Sequence, residues 1–148
     1  KGERVRSFTP HGHWRTLTVI GAVRLDGTRA AMTVGGGTDA AAFGTFLDFV
    51  LAPALRPGDV VVMDNLAAHK VAAVRETVEA AGATVLYLPP YSPDLNPIEK
   101  MWSKVKQLLR SAAARTKDAL EAAIAAALAA VTADDCRGWF ESCGYIVN

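Results

Sequence analysis

A chain of 148 residues with 51% hydrophobic and 21% charged side chains can bury one core, which excludes a disordered segment and points to a single domain. No apolar run reaches the ~20 residues that a membrane-spanning helix needs. The Ala-rich stretch 122–131 is shorter and reads as a buried or half-buried helix, and no signal-peptide pattern opens the chain, so the expected location is the cytoplasm without membrane contact.

Residues 16–25 (TLTVIGAVRL) are rich in strand formers and run into Asp26-Gly27, a strong hairpin signal, so residues 28–34 are expected to return as an antiparallel strand. Three glycines at 35–37 break that strand. Thr38 or Asp39 then caps a helix carrying Phe43, Phe46, Leu47, Val50 and Leu51 at helical spacing, which ends near Pro53 and Pro57-Gly58. The apolar run at 60–63 predicts a strand buried on both faces, 70–81 a helix closed by Gly82, and 84–88 a second buried strand. That order implies parallel pairing through a right-handed crossover. A long helix follows with the stripe Ile98, Trp102, Val105, Leu109, then a second helix with Leu120, Ile124, Leu128 and Val131. Trp139, Phe140 and Tyr145 are expected in a short terminal helix and strap. Cys136 and Cys143 would lie ~10 Å apart on a helix, beyond the ~7 Å that a disulfide spans, so both read as reduced packing residues. The fold class is thus α/β, an antiparallel hairpin joined to parallel strands, with a sheet region over 1–98 and C-terminal helices over 99–148.

The net charge of +1 hides an uneven distribution: residues 16–99 sum to −4, whereas 100–117 hold six basic side chains and no acidic one. A basic segment directly after an acidic one suits a protein that grips phosphates beside a metal site, or simply a solvated helix face. Sites in open α/β sheets form beyond the carboxyl ends of parallel strands. Asp64 stands at one such end and Glu99 just past the next, so both carboxylates reach toward one rim, as a hard divalent cation requires. The intervening loop, PPYSPDLNPIE at 89–99, has four prolines that stiffen it and keep the helix from starting before Pro97. Asn96 is a good N-cap and Pro97 suits the first turn, so these two shape the loop. Glu99 then reads either as a rigidly placed metal ligand or as a complement to the helix dipole.

Residues 61–69 (VVMDNLAAH) and 87–102 (YLPPYSPDLNPIEKMW) resemble the second and third catalytic blocks of DDE transposases, nearest to the bacterial insertion-sequence branch related to mariner elements. That branch often keeps 34 residues between its second and third carboxylates, the number that separates Asp64 from Glu99. The likeness extends through PHGHW at 10–14, LAPALRPGD at 51–59 and DDCRGWFESCGY at 134–145. It implies an RNase H-like mixed sheet flanked by helices, and a two-metal phosphoryl transferase in which Asp64 and Glu99 help hold a pair of Mg²⁺ or Mn²⁺ ions. The partner would be double-stranded DNA, as transposon ends and target, gripped by a homodimer associated with the nucleoid. Asn65 would orient Asp64, and His69 either contacts the phosphate or caps the next helix. The contacts to DNA would come from Lys100, Ser103, Lys104, Lys106 and Arg110 on the long helix, with Tyr91 and Ser92 near the cleaved bond. Packing is an equal role for Tyr91, and the core is the expected place of Trp102. His11, His13 and Trp14 read as lining the substrate path or as local strand packing.

The family also carries a first Asp on a central strand. Asp26, Asp39, Asp48, Asp59 and Asp94 stand in a turn, a helix, a strand lead-in or the proline loop, and none suits that place. The expectation is that this Asp and its strand lie before Lys1. Two other readings stay open: a different RNase H-like nuclease, or an inactive remnant that binds DNA or another chain. Residues 1–148 alone are therefore expected to be poorly stable and to leave supercoiled plasmid intact in Mg²⁺; robust cleavage would overturn that expectation.

Overall fold

The computed structural model describes the backbone at residues 2–8, 14–27, 29–65 and 72–147, and the side chains at 17–27, 30–65 and 72–147. Strand β2 (Trp14–Val23) turns back through 24–27 into β3 (Arg29–Gly35), with antiparallel register from Leu17↔Gly35 to Val23↔Arg29. The turn is the expected one. Gly27 adopts φ +91°, which a side chain resists, and its amide closes the turn by donating to the Arg24 carbonyl at 3.1 Å. A strand not anticipated from sequence, β1 (Gly2–Phe8), pairs antiparallel with residues 14–20 of β2; it carries only two apolar side chains, Val5 and Phe8, at no strand period, and no turn signal marks it.

Alternation along β2 explains the layers. Leu17 and Val19 enter one core with Trp102, Val105 and Ile124, whereas Ile20 enters a second with Phe43, Phe46 and Val78. The sheet therefore lies between two helical layers. One consists of α1 (Ala40–Phe46), capped by the Asp39 side chain, and α2 (Ala72–Ala80). The other consists of α3 (Pro97–Ala112), α4 (Lys117–Ala129) and α5 (Ala133–Ser142). Helix α1 continues into a π-helical turn at Leu47–Leu51 and a 3-10 turn at Ala52–Ala54 before Leu55 becomes extended. Trp102, 1% exposed, lies against Gly21, where a Cβ would meet its ring at 3.0 Å. That settles Trp102 as core. Cys136 and Cys143 are both free and buried, as expected.

Strands β4 (Val60–Met63) and β5 (Thr84–Tyr87) pair in parallel around α2, from Val60↔Thr84 to Met63↔Tyr87. They are not buried on both faces, contrary to the reading of their apolar runs. Val61, Met63, Val85 and Tyr87 pack toward α1 and α2, but Val60 is 58% and Leu86 51% exposed on the other face. The physical reason is the sheet order. The strands form two separate sheets, β1-β2-β3 and β4-β5, and no described strand hydrogen-bonds to both. A largely apolar groove runs between them, bordered by Gly21, Ala22 and Val23 on one bank and Val60, Val62 and Met63 on the other. The antiparallel hairpin, the parallel pair and the flanking helices are those of the expected mixed α/β fold.

At one end of the groove the two sheets are clamped electrostatically. Arg24 donates to both Asp59 oxygens, Nη1 to Oδ1 at 2.9 Å and Nη2 to Oδ2 at 2.5 Å, and Nη2 also donates to the Ala54 carbonyl at 2.9 Å. The Arg56 amide adds a further bond to Asp59 Oδ2 at 2.7 Å. The bond from Arg24, then that from the Arg56 amide, holds the Asp59 carboxyl at a pKa of about 2, below its ordinary 3.8. A carboxyl with a depressed folded pKa contributes stability in full above its unfolded value and loses it as pH falls through the folded one. Asp59→Asn is accordingly expected to lower the melting temperature at pH 7 and to flatten its fall between about pH 4 and 2; parallel melting curves for the variant and the original protein across that window would refute the clamp.

Candidate active site

Parallel strands point the same way, so β4 and β5 deliver their following residues to one rim. Leu88 N donates to Met63 O at 2.7 Å, extending the ladder one step beyond the strands and holding the start of the proline loop beside Asp64. The loop then tightens: Leu95 N bonds Ser92 O and Asn96 N bonds Pro93 O, both at 3.1 Å, across a 3-10 turn at Pro93–Leu95. From the C-terminal tail, Tyr145 Oη donates to Leu95 O at 2.8 Å, and its ring meets Phe140 edge-on with centroids 5.6 Å apart. This is the expected terminal strap, and it braces the loop. Burial raises the Tyr145 pKa, so the hydroxyl stays a donor. Pro97, Ile98, Met101, Trp102 and Val105 anchor α3 in the core, which sets the direction of its first turn.

Asp64 and Glu99 consequently line one recess, together with Asn65, Tyr91, Ser92 and Asn96. Both carboxylates are half-buried, and one oxygen of each, Asp64 Oδ1 and Glu99 Oε1, is shielded from solvent. The donor set is wholly oxygen-rich: two carboxylates and two carboxamides. It fits a hard divalent cation and not a thiolate- or imidazole-seeking one. Among the described residues no three His, Cys, Asp or Glu side chains gather as a metal site.

Several sequence readings need correction here. Asn96 occupies the N-cap position, but its side chain accepts no capping bond. The Glu99 amide that it would cap is instead taken by the Asn96 backbone carbonyl at 3.1 Å. Tyr91 is not a packing residue: it is fully exposed, with φ +58°. Lys104 points away from the recess. It donates to the Ala130 carbonyl at 2.9 Å and ion-pairs with Asp135, whose pKa is lowered first by that lysine and then by the Thr132 amide. Lys104 thus fastens α3 to the start of α5, where Thr132 and Asp135 form a capping box.

The other candidates fall as follows. Asn65 is exposed at the recess and Ser92 is half-buried there, its hydroxyl donating to Pro90 O at 3.3 Å. Ser103 donates to Glu99 O at 3.1 Å within α3. Lys100 and Arg110 are exposed and Lys106 is half-buried. His69, His11 and His13 lie outside the described residues, as does the Trp14 side chain. Sequence reasoning missed the Arg24–Asp59 clamp and the role of the Tyr145 hydroxyl, since neither pair has a local spacing signal.

A profile of DDE superfamily endonucleases matches residues 1–121. The chain belongs to that family. A comparison with curated proteins returned no match. Among solved structures, the catalytic domain of Mos1 mariner transposase superposes with a TM-score of 0.66 at 18% identity, covering 99% of this chain and 82% of that one. A structure of the Mos1 catalytic domain and Raltegravir with Mg gives 0.62 at 17% identity, covering 99% and 84%. The catalytic core domain of BIV integrase gives 0.55 at 17% identity, covering 86% and 79%. At such identities the likeness establishes the fold, RNase H-like as in these transposase and integrase catalytic domains. For this DDE chain, no helix among the described residues is long and apolar enough to cross a membrane.

Tyr91 gives a direct test of the loop geometry. A left-handed conformation costs an L-residue roughly 1–2 kcal/mol, part of which glycine recovers. Tyr91→Gly should raise stability by up to about 1 kcal/mol in urea unfolding; a clear loss would show that the ring packs against the protein.

Proposed function

We propose that this chain is the greater part of a catalytic domain that cuts and joins DNA strands during transposition of an insertion sequence, with two Mg²⁺ or Mn²⁺ ions. The observation that carries the proposal is the convergence of Asp64 and Glu99 on one recess at the carboxyl rim of β4 and β5. Bound divalent ions would supply charge stabilisation of the developing oxyanions and a more acidic attacking water. The chain's own residues do the positioning. Asp64 and Glu99 hold the ions, Asn65 orients Asp64, and His69 contacts the phosphate. Attack by water or a DNA 3′-hydroxyl forms the new P–O bond in line while the bridging P–O bond breaks, and no covalent enzyme intermediate forms.

Double-stranded DNA is the partner, held along α3 outward from Glu99. Lys100, Lys106 and Arg110 meet the backbone, Ser103 lies on the same face, and the exposed Tyr91 with Ser92 stands near the cleaved bond. A homodimer on paired DNA ends, acting in the cytoplasm on the nucleoid, completes the reading. A second reading, a non-catalytic DNA-binding remnant, draws support from the two carboxylates that gather without a third His, Cys, Asp or Glu side chain among the described residues.

Two measurements test this. In a chain extended upstream to supply a third carboxylate, Mg²⁺-dependent plasmid cleavage should be lost in both Asp64→Asn and Glu99→Gln; activity surviving both changes would refute the assignment. DNA affinity should fall with salt, each phosphate contact contributing about 0.9 to the logarithmic slope. Changing Lys106 and Arg110 together to alanine should lower that slope by about 2, whereas Lys104→Ala should leave it unchanged. An unaltered slope in the double variant counts against the path along α3.

A further inference from the structure

Asn96 is the one polar residue, besides Thr18, that the described core buries, at 5% exposure. Three observations separate it from an ordinary helix cap. Its side chain does not cap α3, since the amide it would serve bonds to the Asn96 backbone carbonyl. Its carboxamide makes no hydrogen bond to any described residue. It borders both the recess of Asp64 and Glu99 and the apolar groove between the sheets. Its polar atoms are not among the fully shielded ones that lack a partner, so the carboxamide opens onto one of the two spaces it borders, and the recess is the one that gathers oxygen donors.

We infer that the Asn96 carboxamide is part of the cation site, its oxygen acting as a third, neutral donor to a divalent ion held by Asp64 and Glu99. This rests on the metal-dependent reading above. Amide oxygens are good ligands for hard cations. The rigid turn at 93–96 holds the residue in place, and Glu99 follows it by three positions, so one short backbone segment presents both oxygens.

Mn²⁺ binding by electron paramagnetic resonance, on the 148-residue chain, reads this without any cleavage assay. Asn96→Ala and Asn96→Ser should each weaken Mn²⁺ binding about ten-fold or more, the range seen when groups supporting a metal are removed. Serine keeps a capping hydroxyl but not the reach. Asn96→Asp, which keeps an oxygen in place, should bind at least as tightly as the original chain. Thermal melts accompany each variant. Unchanged Mn²⁺ affinity in the serine and alanine variants, with only the melting temperature lowered, would overturn the inference and leave Asn96 a structural residue. Should the alanine variant not fold, weaker binding by a folded aspartate variant overturns it equally. Asp64→Asn separates the two levels: if it abolishes binding while the Asn96 variants do not, only this inference fails. If the unaltered chain binds no Mn²⁺, or Asp64→Asn binds as well as it does, the metal-dependent reading fails with it.

Discussion

The parallel pairing of β4 with β5 is the constraint from which the site follows. Two strands that run the same way and are joined through α2 must leave the sheet on the same side. The bond from Leu88 N to Met63 O carries that alignment one residue past the ladder, to the point where Asp64 begins and the proline loop departs. Everything downstream refines this placement. The 3-10 turn shortens the loop, the Tyr145 hydroxyl pins it at Leu95, and the buried face of α3 sets where Glu99 lies. Neither carboxylate would hold its position by local propensity alone, because Asp64 follows a strand of only four residues and Glu99 sits in the first turn of a helix.

Most of the architecture was legible because the local signals agree with one another. Asp26-Gly27 between two strand-forming runs, Gly82 after a helical stripe and Pro97 after a proline-rich lead all mark boundaries by backbone chemistry, and the elements begin and end near them. The pair Asp64 and Glu99 was legible for the same reason, since strand, crossover and strand can be read in order. What was not legible depends on neighbours distant in sequence. An apolar tetrapeptide such as 60–63 looks the same whether one or both of its faces are covered. Whether Val60 is buried depends on what lies beside β4, and the sequence of β4 holds no record of that. Likewise Asn96 has the composition of a cap, and only the tight turn that satisfies the Glu99 amide shows that the side chain is not used as one.

Charge plays two distinct parts in the molecule. Arg24 with Asp59 and Lys104 with Asp135 are paired, partly buried and structural, and they tie elements that the hydrophobic cores alone leave adjustable. The cations at Lys100 and Arg110 are exposed and follow one helix. A count of basic residues between 100 and 117 cannot distinguish the two kinds. Geometry can: Lys104 turns toward the carboxyl end of α4 and the start of α5, where a carbonyl and a carboxylate meet it.

The gap between the sheets has a mechanical consequence. Among the described strands, β4 has a hydrogen-bonded neighbour on one flank only, so its outer amides and carbonyls have no ladder partner among those strands. Asp64 therefore stands at the tip of a ribbon supported from a single side, like a shelf fixed along one edge. Its stiffness comes from β5, from α2 beneath it, and from the clamp at its far end. Displacement of the loop after β5 would thus reach Asp64 with no described strand on the opposite flank to share the load.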